Sequence, residues 1–76
     1  MTKFINTKLL HKIGVTIKEV RIKKGLTQED VYTDTGIHIA RMETAARNLS
    51  ISSLSVVTDY FEIKLSDFFK LVEKQQ

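Results

Sequence analysis

The sequence predicts an all-α fold of five short helices, and three observations predict it. Proline is absent and glycine occurs only at positions 14, 25 and 36, so little in the chain interrupts a helix. Apolar residues recur at three- and four-residue steps over most of the chain, the spacing of one helix face. Asn6 or Thr7, Thr27 and Ser50 stand just before such stretches, where a side-chain oxygen can accept an unpaired backbone N–H.

The first helix is expected to begin at Asn6 or Thr7 and run to Lys24, with Leu9, Leu10, Ile13, Ile17 and Val20 as its apolar stripe. Gly25 ends it, because glycine takes the left-handed conformation at low cost. Thr27 and Asp30 have capping-box spacing and open a second helix of about 28–33, with Val31 and also Tyr32 as candidate inward residues. Asp34, Thr35 and Gly36 form the turn. A third helix is expected over about 37–44, with Ile39 and Met42 inward and His38 and Arg41 outward. Ser50 caps a fourth helix of about 51–61 whose stripe is Ile51, Leu54, Val57 and Phe61. The fifth, about 65–73, carries Phe68, Phe69, Leu71 and Val72, so its apolar groups point in more than one direction.

With 76 residues and 42% apolar composition, one domain over 1–76 is expected, its core about 7–73 and its first five and last three or four residues frayed. Cysteine is absent, which rules out disulfides and thiolate metal sites. His11 and His38 lie in different helices without paired ligands, so neither metal nor cofactor is expected. No apolar run approaches the roughly 20 residues of a membrane span, and no secretory h-region is visible at the N-terminus. A cytoplasmic protein is the expectation.

The net charge of +3 is unevenly spread: residues 1–27 hold seven Lys or Arg against Glu19, and residues 28–76 hold five against eight acids. A basic end suits a polyanion, since neutralised phosphates release condensed counterions. Lys8, Lys12 and Lys18 are equally consistent with a solvated helix face. A nucleophile–base pair, a glycine-rich phosphate loop and a carboxylate cluster with ligand spacing are all missing, so enzyme activity is not expected.

The block Val20-Arg21-Ile22-Lys23-Lys24-Gly25-Leu26-Thr27-Gln28-Glu29, followed by a Gly-containing turn and a second short helix, resembles the helix-turn-helix of the phage-repressor and Cro-like family. That family includes the controller proteins of restriction-modification systems, and the likeness implies a bacterial or phage-encoded, nucleoid-associated protein. The resemblance runs from about Ile13 to Phe69 and implies a five-helix, lambda-repressor-like DNA-binding domain. It implies an architectural ion pair between Arg21 and Glu43, and backbone contacts from Gln28 and from the loop after the third helix, where Arg47 and Asn48 match.

Thr27 and Gln28 serve at the least as a helix start, and the positive end of that helix also suits a phosphate. Arg41 can make two hydrogen bonds to guanine in the major groove or contact a phosphate. His38, one turn earlier, can donate to a base or a phosphate or remain an ordinary surface residue. Ile37 fills the core or touches a thymine methyl. Thr44, Arg47 and Asn48 follow the third helix, and Ser50, Ser52 and Ser53 can add contacts where the fourth begins.

The chain departs from the family pattern twice. The interval from Gly36 to Glu43 is three residues shorter than usual, so either the turn is compressed or the third helix loses nearly one turn. Ala45 stands where a glycine is usual, and the helix can continue to Ala46.

The leading expectation is a sequence-specific DNA-binding transcriptional regulator, a homodimer reading palindromic double-stranded DNA through the third helix. Phe68, Phe69 and Val72 are its candidate dimer surface. The alternative is an antitoxin-like interaction module whose Phe68 and Phe69 engage another protein, with DNA binding secondary or lost.

Overall fold

The computed structural model describes residues 6–44 and 49–76. Five helices follow in order: α1 Thr7–Lys23, α2 Gln28–Thr35, α3 Ile39–Glu43, α4 Ile51–Tyr60 and α5 Leu65–Glu73. Among the described residues there is no strand.

Local chemistry sets most of the boundaries. Asn6 Oδ1 accepts from the Leu9 N–H at 2.9 Å and caps α1, and Gly25 follows the helix at φ 72°. Thr27 and Asp30 form a complete capping box: the Asp30 N–H donates to Thr27 Oγ1 at 3.0 Å, and the Thr27 N–H to Asp30 Oδ2 at 2.9 Å. The Thr27 backbone N–H and hydroxyl hold the Asp30 carboxyl below its ordinary pKa. Ser50 Oγ accepts from the Ser53 N–H at 3.0 Å at the start of α4.

The core draws on every helix: Ile13, Ile17 and Val20 from α1, Val31 from α2, Ile39 and Met42 from α3, Leu54 and Val57 from α4 with Phe61 just beyond, and Phe68 and Val72 from α5. α1 packs on α3 and α5, α2 on α3 and α4, and α4 on α5. Gly14 is where α1 passes α3 most closely. A Cβ there would lie 2.7 Å from the Glu43 carbonyl oxygen and 2.8 Å from that of Met42. Glycine is needed at this crossing because two backbones share the space a methyl group would take.

Several sequence expectations are corrected. α2 runs through Thr35, two residues past its expected end, and Gly36 closes it at φ 76°. Thr35 Oγ1 donates back to the Val31 carbonyl at 2.7 Å and accepts from the Ile37 N–H at 3.1 Å. Ile37 and His38 are thereby kept out of α3, which is five residues long instead of eight. Leu9 and Ile51 were expected in apolar stripes but are exposed, because each sits in the first turn of its helix, before the helix enters the core. Tyr32, a candidate inward residue, is 47% exposed.

The end of the chain, expected to fray, is tied down: Gln75 Nε2 donates to Thr16 Oγ1 at 3.1 Å and to Glu19 Oε1 at 2.7 Å. The expected fraying of the first five residues, and the continuation of α3 through Ala45 and Ala46, lie outside the described residues.

Candidate nucleic-acid interface

Three helices meet at one carboxylate. Arg21 Nε donates to Glu43 Oε2 at 2.6 Å and Arg21 Nη2 to Glu43 Oε1 at 3.2 Å, so the pair is bidentate. Arg21 Nη1 donates to the Leu26 carbonyl at 2.8 Å, which adds the α1–α2 turn to the network. Gln28 Nε2 donates to Glu43 Oε1 at 3.0 Å and brings in the start of α2. The Arg21 and Glu43 side chains keep only 10% and 4% of their exposure. Two opposite charges so shielded from water, with guanidinium and carboxylate edges matched, fix the angle of α3 against α1.

The outer edge of this frame is polar. Thr27 and Gln28 are exposed at the start of α2, and His38, Ala40, Arg41 and Thr44 are exposed along α3 and its ends. Arg41 makes no ion pair among the described residues. Thr44 Oγ1 donates to the Arg41 carbonyl at 3.2 Å. His38 is the N-cap residue of α3 but makes no side-chain capping bond; its ring stacks on Tyr32 instead, with centroids 4.3 Å apart and planes 25° apart. Ile37 is half-buried against the core. Arg47 and Asn48, named as backbone contacts, lie outside the described residues.

A second tie joins α2 to α4. Tyr60 Oη donates to Asp34 Oδ2 at 2.5 Å, and that bond, followed by desolvation and the charges of Asp34 and Asp30, pushes the Tyr60 phenol up to about 12.

Comparison with solved structures decides what this frame belongs to. The restriction-modification controller protein C.Esp1396I, as a tetramer in complex with its natural 35 base-pair operator, is 35% identical, with a TM-score of 0.77 over 87% of this chain and 91% of that one. The chain belongs to the restriction-modification controller proteins. Wild-type C.Esp1396I matches at 35% identity and TM-score 0.78, covering 87% of this chain and 88% of that one. A single-residue variant in a trigonal crystal form matches at 33% and 0.82, covering 88% and 93%. No protein-family model matches the chain, and neither does any curated protein.

Within this controller-family chain, two of the three candidate dimer residues are corrected. Phe68 and Val72 are 0% and 1% exposed and belong to the core, because they lie one turn apart on the face of α5 that meets α1 and α4. Phe69 is half-buried and meets the Phe68 ring edge-on at 5.6 Å. The burial of Phe68 also removes half of the aromatic pair on which the protein-partner alternative rested. Leu71 on α5 and Ile22 on α1 are exposed and line a shallow groove of about 480 Å³ with Val20, Lys23 and Lys74.

Two site features escaped the sequence reading: the Tyr32–His38 stack and the bond from Gln28 to Glu43. The four-residue spacing of Gln28 and Tyr32, which puts both on one face of α2, is the signal that could have found them. Among the described residues no His, Asp and Glu cluster suited to a metal ion occurs, and no helix is long and apolar enough to cross a membrane.

Proposed function

We propose that this protein is a sequence-specific DNA-binding transcriptional regulator that acts as a homodimer on a two-fold symmetric operator. Its family relative C.Esp1396I, alike over nine-tenths of its own length, is seen bound to its operator, and this observation carries the reading. The geometry supports it from this chain's own residues. The Arg21–Glu43–Gln28 network holds α3 by its inner face and leaves Arg41 and His38 outward.

Arg41 reads a guanine by two hydrogen bonds to O6 and N7. Thr27 and Gln28 meet the phosphate backbone with Thr44, Arg47 and Asn48, setting register without reading sequence. The protein is a regulator without enzymatic activity and works in the cytoplasm. Two copies place two α3 helices about 34 Å apart, one turn of DNA. Selection of duplexes from a random pool is the test: enrichment of a palindrome is expected, and a pool that stays random after selection overturns the reading.

A further inference from the structure

α3 is too short to read DNA alone. Five residues rise only about 7.5 Å, and Ile39, Met42 and Glu43 are committed to the core and the ion pair. That leaves Ala40, with no polar group, and Arg41 as the exposed side chains of the helix proper. Any further reading has to come from groups that flank α3.

The face of α2 supplies one. Gln28 and Tyr32 are one turn apart, and they engage opposite ends of α3. Gln28 bonds to Glu43, its last residue, and Tyr32 stacks on His38, the residue before its first. One face of α2 therefore reaches both ends of α3, and the Tyr32 ring lies against the residue that precedes its first turn. Both rings of the stack are exposed. The His38 ring nitrogens have no hydrogen-bond partner in the described structure, so the face contact with Tyr32 is what orients the imidazole. A side chain held in one orientation before it meets its ligand loses less entropy on binding.

We infer that Tyr32 is a specificity-determining positioning residue: stacked on His38, it aims the imidazole N–H at a base edge of double-stranded DNA next to the one read by Arg41, in place of the missing first turn of α3. The inference rests on the proposed DNA-reading function and adds to it a residue from outside the third helix.

The test compares base-preference profiles from random-pool selection for the full-length protein and for Tyr32→Phe, Tyr32→Ala, Tyr32→Leu, His38→Ala and the Tyr32→Ala/His38→Ala double variant. Tyr32→Phe keeps the ring face and is expected to keep the wild-type profile. Tyr32→Ala, Tyr32→Leu and His38→Ala are expected to flatten the same single position in each half-site by about twofold to tenfold, the range of a single hydrogen bond. The double variant is expected to do no more than either single change. The melting temperature is expected to stay at the wild-type value, since both rings are exposed. Leucine fills the space without a π-face, so a fold defect confined to Tyr32→Ala still leaves a reading from Tyr32→Leu. A wild-type motif that the Tyr32 variants keep unchanged, or lose evenly at every position, overturns this inference alone. A wild-type protein that enriches no motif overturns the proposed function with it.

Discussion

Truncating Glu43 to Ala leaves the Arg21 guanidinium in a site where its side chain keeps 10% of its exposure. Two of its three hydrogen bonds go, those to the carboxylate, and only the bond to the Leu26 carbonyl survives. Removing one partner of a buried ion pair costs about 3–5 kcal/mol, because the remaining charge is uncompensated. The surviving carbonyl bond favours the lower end, about 3 kcal/mol. A chain of 76 residues has a total stability of roughly 4–11 kcal/mol, so the variant is expected to lose a large share of it. Urea unfolding followed by circular dichroism measures this directly, with an unchanged m-value if both proteins unfold as one unit. Because the pair is shielded, the loss should change little between 0.05 and 0.5 M salt, unlike that of an exposed pair. Glu43→Gln keeps one acceptor and should fall between the two. A loss below about 1 kcal/mol, the range of an exposed pair, would refute the claim that this carboxylate clamps α3 to α1.

Gly14→Ala puts a methyl group against two backbone carbonyls at 2.7 and 2.8 Å; it should destabilise by about 1–3 kcal/mol in the same urea assay, and an unchanged midpoint would deny the close crossing. Tyr60 has its phenol raised in the folded state to about 12, from 10.0, so its bond to Asp34 contributes fully below pH 10 and is lost as pH rises through about 12; stability of the wild type should fall over that window relative to Tyr60→Phe, and parallel pH curves would contradict the bond. DNA affinity should drop at least about tenfold between 50 and 200 mM salt, and Arg47→Ala should weaken specific and random duplexes about equally in a fluorescence titration; a flat salt response would contradict phosphate-dominated binding.

The helix frame was legible because its signals are local. Asn6, Thr27 with Asp30, and Ser50 each cap the helix that follows them, and Gly25 sits at the positive φ expected of it. The reach of α2 and the start of α3 were not, because the Thr35 hydroxyl bonds back to Val31 and forward to Ile37, a choice that composition does not specify. α5 shows the limit of pattern. Its bounds came out as read, but a helix apolar on several sides does not say which side the core takes, and the core took Phe68 and Val72. At the site, the Arg21–Glu43 pair was accessible only through family resemblance, since its members are 22 residues apart. The stack of Tyr32 on His38 depends on a shortened α3 whose form the sequence left open between a compressed turn and a lost one.

In the proposed function a short, firmly held α3 reads DNA through Arg41. Equilibrium binding of Arg41→Ala to the selected palindrome and to single-base variants of it separates base reading from phosphate contact. The expected result is a loss of about 1–3 kcal/mol on the preferred site, with relaxed choice of base at one position in each half-site. Full discrimination against a changed guanine in the variant would contradict it and reduce Arg41 to a phosphate contact.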